Sequence, residues 1–244
     1  MVMTNKTATA GIVGHTEMHA LHADPDGWLR RENVDEYVDE LYDGTTGGIF
    51  ILVLGDDVKF IAQGAFQGLS YLEELVINAG TEYIGKNACA DMRYLRIVVI
   101  PNTVKVIDDL AFSGCSALEE LPNGLGGVEY IGASAFRDCY SLEELTIPAS
   151  TDTIESGAFR HCRSLGKVTF EQHSQLRRLG DKAFAENRCL MFLPKGIPAG
   201  VKRAYVKDAF RDSACMKPGI IRRLLYKHRV KLFHYHRYDS RWMF

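Results

Sequence analysis

The sequence predicts an α/β repeat solenoid, with a parallel β-sheet on one face of a stack of coils and short helical turns on the other. Three observations carry this. First, an Ile-x-x-x-Ala-Phe unit recurs with its alanine at Ala65, Ala88, Ala111, Ala135, Ala158 and Ala183. A fixed period of this length marks stacked repeats. Second, a large apolar residue follows each aromatic slot by six positions: Leu72, Leu95, Leu118, Leu142, Leu165 and Leu190. Leu75, Val98, Leu121, Leu145, Val168 and Leu193 come three later, then Ile77, Ile100, Ile147 and Phe170 two beyond. Leu-x-x-Leu-x-Ile ends in the alternation of a strand with one buried face. Third, Pro101 and Pro148 follow directly and stop the strand, because proline has no amide proton to donate.

In chain order, residues 1–30 read as a flexible N-terminus. Residues 31–57 read as an N-terminal cap. Val34, Tyr37, Val38 and Leu41 fall on one helical face, with Glu32, Asp35, Glu36, Asp39 and Glu40 opposite. Gly47 and Gly48 end that helix, and Ile49–Leu54 reads as a fully buried strand. Residues 58–200 hold six repeats. Gly85, Gly132 and Gly180 suit a turn whose backbone angles other residues resist. Phe66, Phe112, Phe136, Phe159 and Phe184 are expected to stack as an internal spine. Residues 201–244 begin with a degenerate seventh repeat, Tyr205-x-x-x-Ala209-Phe210, and continue as a basic tail.

The segment Ile131-Gly-Ala-Ser-Ala-Phe-Arg-Asp-Cys-Tyr-Ser-Leu-Glu-Glu-Leu-Thr-Ile-Pro148 resembles the BspA-type leucine-rich repeat. The resemblance runs from residue 58 to about 200. It departs from the pattern at Cys89 in the aromatic slot and at Pro122–Gly127, which replaces the end of the third strand. It implies a right-handed leucine-rich-repeat stack and recognition of other macromolecules rather than catalysis. It also implies that some members are surface proteins of bacteria and microbial eukaryotes, so cell-surface adhesion is one of the readings.

Composition bounds the function. The 244 residues are 46% hydrophobic and 25% charged, with a net charge of −2. No apolar run is long enough to span a membrane. The first ten residues hold no sustained apolar core of a secretory signal. These features place the chain in the cytoplasm or nucleus. No nucleophile–base order and no phosphate-binding glycine loop appears, so the chain reads as a non-enzyme without cofactor, metal or small-molecule substrate. Cys115, Cys139 and Cys162 share a slot that elsewhere takes Leu69 and Met92, which makes them reduced, buried, apolar thiols. His15, His19 and His22 have a spacing that a helix would converge on zinc, but Gly11, Gly14 and Pro25 argue against a helix; the segment reads as polar terminus.

Two surfaces are left as candidates. On the sheet, residues between the buried leucines alternate outward: Glu74, Val76, Ile97, Val99, Glu120, Glu144, Thr146 and Lys167. Glu74, Glu120 and Glu144 would form an acidic stripe for a protein partner carrying a basic segment. In the tail, Arg222, Arg223, Lys227, Arg229 and Lys231 are interleaved with Tyr226, Phe233 and Tyr235. From 201 to 244, twelve basic residues face three acidic ones. That segment suits a nucleic acid or an acidic membrane surface, or simply a solvated cap. The leading reading is a protein-interaction scaffold.

Overall fold

The computed structural model describes residues 20–41, 50–194, 196–198, 201 and 203–216. Its elements are β1 (Trp28–Leu29), α1 (Arg31–Leu41), β2 (Phe50–Val53), β3 (Phe60–Ile61), β4 (Leu72–Val76), β5 (Tyr83–Ile84) and β6 (Ile97–Val99). There follow β7 (Val106–Ile107), β8 (Tyr130–Ile131), β9 (Glu144–Ile147), β10 (Thr153–Ile154), β11 (Lys167–Phe170), β12 (Arg178–Leu179) and α2 (Arg203–Ala209). The chain is a solenoid of parallel strands with little helix. Each coil contributes a two-residue strand and most add a longer one; no longer strand follows β7 or, among the described residues, β12.

The two-residue strands form a seven-stranded sheet in the order β1-β3-β5-β7-β8-β10-β12. Its inward column is Leu29, Ile61, Ile84, Ile107, Ile131, Ile154 and Leu179, all buried. The longer strands form two blocks, β2-β4-β6 and β9-β11. Between the sheets lies the core, one layer per coil. Full burial of each Leu, Ile or Phe stabilises by about 1.5–3 kcal/mol.

The Ala-Phe segments expected as helical turns are hydrogen-bonded turns, and they are tied across coils. The amides of Phe66, Cys89, Phe112, Phe136, Phe159 and Phe184 donate to the carbonyls of Ala88, Ala111, Ala135, Ala158, Ala183 and Ala209, each at 2.7 Å. A helix would spend these amides within its own coil; here they join neighbours, satisfying the same groups. The rings stack accordingly. Successive centroids from Phe112 through Phe136, Phe159 and Phe184 to Phe210 lie 4.9–5.2 Å apart, within 12° of parallel.

Several expectations need correction. Gly85, Gly132 and Gly180 do not adopt a left-handed conformation. A Cβ on Gly85 would lie 2.7 Å from the Ile61 carbonyl, and at Gly132 and Gly180 it would meet the backbone of Asp109 and Ser156. Their role is close approach between coils. Side chains alternate with glycine along this column (Ala62, Gly85, Asp108, Gly132, Glu155, Gly180), so each non-glycine residue has a glycine beside it in the next coil. The left-handed residue is the one before each alanine: Gly64, Asn87, Leu110, Ser134, Gly157 and Lys182. A second such column runs Gly68, Asp91, Gly114, Asp138, His161, Glu186 and Asp212.

Residues 20–30, read as flexible, open the stack instead: β1 pairs with β3, and Leu21 bridges Leu54. Leu21 and Leu29 gain buried apolar environments there, which is what orders them. The strand expected over 49–54 alternates rather than being buried throughout. Leu52 and Leu54 face in, while Ile51 and Val53 are half-exposed. Leu193, expected in the core, is 39% exposed, because among the described residues no long strand follows β11. Five cysteines are buried and Cys189 is exposed; all six are free.

Candidate functional site

The eight residues expected to face outward lie on the long-strand sheet in register. Ile51 pairs with Glu74, Glu74 with Ile97, and Ile97 bridges to Glu120. The next outward column is Val53, Val76 and Val99. Beyond an interruption, Glu144 pairs with Lys167 and Thr146 with Thr169. Glu74, Val76, Ile97 and Val99 are half-buried, whereas Glu120, Glu144, Thr146 and Lys167 are exposed.

Geometry divides the expected acidic stripe. Ile97 separates Glu74 from Glu120. Between Glu120 and Glu144 the sheet is split. Lys167 Nζ donates to Glu144 Oε2 at 2.6 Å, so that carboxylate is paired. The split arises locally. Pro122 has no amide to give the ladder, and Gly124 and Gly126 (φ +62° each) turn the chain away from the strand direction. A cleft of about 360 Å³ results, walled by Leu121, Pro122 and Gly124 on one side and Glu144, Thr146 and Pro148 on the other.

Sequence reasoning missed the two carboxylates that complete this junction. Glu119 and Glu143 precede Glu120 and Glu144, and all four are exposed. The doublets Glu119-Glu120 and Glu143-Glu144 were the available signal. Glu143-Glu144 opens β9 and Glu119-Glu120 makes only an isolated bridge to β6, so in neither doublet has the alternation that would turn one member inward begun. Arg96 Nη2 donates to Glu119 Oε2 at 2.9 Å, and this ion pair holds the Arg96 guanidinium above its ordinary range. Glu120 and Glu143 have no cationic partner among the described residues. The junction is thus an acidic focus flanked by Arg96 and Lys167, with the valine and isoleucine columns beside it.

The tail residues Arg222, Arg223, Lys227, Arg229 and Lys231 lie outside the described residues, as do His15 and His19. His22 is exposed and hydrogen-bonded to Asp57 at 2.9 Å. Among the described residues no group of three or more His, Cys, Asp or Glu side chains is arranged to hold a metal, and no helix is long and apolar enough to cross a membrane. The shared cysteine slot has a further property. Cys139 and Cys162 thiols point at the carbonyls of Phe112 and Phe136 one coil back, at 3.3 and 3.2 Å. Asn187 and Ser213 hold the same slot later and bond the carbonyls of Phe159 and Phe184.

The stacked parallel coils with inward leucine and phenylalanine columns define a leucine-rich-repeat solenoid. A family model, the BspA type leucine rich repeat region, matches in six copies over residues 45–119 and 120–199, and the chain belongs to that family. A leucine-rich repeat protein from Eubacterium ventriosum is similar at 25% identity and a TM-score of 0.54, over 62% of this chain and 40% of that one. A leucine rich cell surface protein from Faecalibacterium prausnitzii is 27% identical, with a TM-score of 0.47, over 61% of this chain and 44% of that one. The leucine-rich repeat protein of T. pallidum is 20% identical, with a TM-score of 0.41, over 76% of this chain and 86% of that one. The chain therefore spans less than half the length of the first two. No curated protein matches it significantly.

Proposed function

We propose that the chain is a non-catalytic scaffold that binds a protein partner on the exposed face of its long-strand sheet, centred on the junction of β6 and β9. The observation that carries this is the set of four exposed carboxylates, Glu119, Glu120, Glu143 and Glu144, beside a cleft and two columns of half-buried Ile and Val. The partner is a basic segment with apolar residues between its cations. Electrostatic complementarity of this kind speeds encounter and fixes register, while the apolar columns supply area. The unbridged thiols of Cys115, Cys139 and Cys162, in adjacent coils, fit a reducing compartment such as cytoplasm or nucleus.

The test is affinity capture from nuclease-treated lysate with the full chain and with a Glu120→Lys/Glu143→Lys/Glu144→Lys variant. The binding constant of the recovered partner is then measured for both. At least a tenfold loss in a folded variant is expected, or about 1.4 kcal/mol. Unchanged affinity overturns the reading. A partner that is insensitive to these changes, lost on truncation after Lys217 and steeply salt-dependent would make the basic tail the binding element instead.

A further inference from the structure

Many charges on this solenoid are paired from coil to coil. Arg96 meets Glu119, Lys105 meets Glu129, Lys167 meets Glu144, Arg177 meets Asp152, Arg178 meets Glu155 and Arg160 meets Glu186. Among the described residues Lys59, Lys86, Arg93, Arg163 and Arg188 have no carboxylate within ion-pair distance, and of these only Arg163 and Arg188 hold the same slot in adjacent coils. Both stand four residues after the aromatic slot, in adjacent coils, on the rim that follows the Ala-Phe turns. Adjacent coils are about 4.8 Å apart, so the two guanidinium groups leave neighbouring rungs. Neither has a carboxylate partner among the described residues. Like charges on neighbouring coils repel.

One of the two is also held in place. Arg163 Nε donates to His161 Nε2 at 3.0 Å. Its guanidinium lies 4.8 Å from the ring centroid of Tyr140. Tyr140 itself packs edge-on against His161, at 5.4 Å and 83°. Because Nε2 accepts from Arg163, the imidazole proton is on Nδ1, which donates to Asp138 Oδ1 at 2.6 Å. Asp138 is tied in turn to Arg137 Nε at 3.3 Å. This chain fixes the imidazole, which fixes the arginine. It consumes Nε and leaves both terminal nitrogens without a hydrogen-bond acceptor among the described residues. A guanidinium so prepared loses little conformational entropy on binding.

We propose that Arg163 and Arg188 bind a tetrahedral oxyanion, the phosphate or sulfate group of a monoester. Each arginine presents a planar fork that matches two oxygens of such a group. A shared anion also removes the repulsion between the two cations. The site lies on the rim in coils five and six, apart from the acidic junction at coils three and four. An anionic ligand there and a basic partner on the sheet face therefore do not compete.

The test follows the arginine side-chain Nε–Hε resonances of the full chain by NMR. Inorganic phosphate, inorganic sulfate and chloride are titrated separately at matched ionic strength. Saturable shifts at Arg163 and Arg188 are expected with phosphate, sulfate or both, but not with chloride. Preference for phosphate names a phosphomonoester as the source, and preference for sulfate names a sulfate ester. Arg163→Ala and Arg188→Ala should each weaken binding about tenfold. Tyr140→Ala, which keeps both charges but frees Arg163, should weaken it about threefold. Shifts that follow chloride equally, or affinity unchanged in a folded Arg163→Ala protein, overturn the proposal.

Discussion

Removing one ring from the phenylalanine spine measures how the stack is held together. Phe136 is fully buried, with Phe112 stacked on one side at 5.1 Å and Phe159 on the other at 5.2 Å. Phe136→Ala deletes the ring from a close-packed site, at about 3–5 kcal/mol for lost transfer energy and residual cavity. Two stacked contacts go with it, each worth about 0.5–1.5 kcal/mol and partly included in that figure. The cavity cannot collapse readily, because the backbones of coils four and five are pinned by the Phe136 amide bond to Ala158. Phe210 is the control. It is equally buried but stacks on one side only among the described residues, against Phe184 at 4.9 Å. Since each repeat is held by its neighbours, a terminal layer frays at smaller cost than a central layer fails. Urea unfolding by circular dichroism, together with amide hydrogen exchange of the β8–β10 amides, gives both numbers. The reasoning predicts a loss of at least about 3 kcal/mol for Phe136→Ala, with exchange accelerated on both sides of coil four. It also predicts a clearly smaller global loss for Phe210→Ala. Equal losses, or a central loss below about 1 kcal/mol, would refute a spine built layer by layer.

Two more outcomes follow from the backbone and the thiols. Gly68→Ala, at φ +74° with nothing within 4 Å of a new Cβ, should cost about 1–2 kcal/mol from backbone strain alone. Gly132→Ala, with no left-handed conformation but a Cβ driven into the Asp108–Asp109 backbone, should cost more in thermal unfolding; the reverse order would put the requirement back on dihedral angles. Burial pushes the Cys115 and Cys162 thiols up to about 12, and Cys89 and Cys139 shift in the same direction. Iodoacetamide at pH 8 should therefore label Cys189 rapidly and the buried thiols only on unfolding, as read by mass spectrometry. The sign of the linked stability is fixed. The unfolded chain releases these protons above about pH 8.5 while the folded chain retains them, so stability is full below that pH. It should then fall toward pH 12, at about 1.4 kcal/mol per pH unit for each thiol. A melting temperature that stays flat from pH 9 to 11 would contradict this.

Much of the fold was legible in the sequence because each coil repeats the same local problem. An inward column needs a large apolar residue in every coil, so Leu72, Leu95, Leu118, Leu142, Leu165 and Leu190 announce themselves by period, and the phenylalanine spine does likewise. The cysteine slot was half legible. Cys115, Cys139 and Cys162 marked it as buried, but its extension to Asn187 and Ser213 depended on hydrogen bonds to the preceding coil. The glycines were legible in position and misread in purpose. Gly132 looks like a turn residue from its neighbours in the chain, whereas its constraint comes from the Asp108–Asp109 backbone more than twenty residues earlier.

The candidate surface shows the same division. Periodicity alone placed Glu74, Ile97, Glu120, Glu144 and Lys167 on outward positions, because alternation along a strand is a local property of the backbone. Whether those residues form a continuous stripe depends on which rungs are bonded. Only the folded chain shows Ile97 standing between two carboxylates and Lys167 pairing with Glu144, whereas the Pro122–Gly127 departure already marked in the sequence where the third strand fails. The positioning of Arg163 by His161 and Tyr140 was hidden for a related reason. His161 reads as a polar residue beside a core cysteine until the coil 23 residues earlier brings Asp138 within 2.6 Å of it. Sequence by itself determined the repeat, its inward columns and the class of fold, since these follow from local alternation and period. Tertiary structure alone decided charge pairing and glycine function, since each is an interaction between coils that are distant in the chain and adjacent in space.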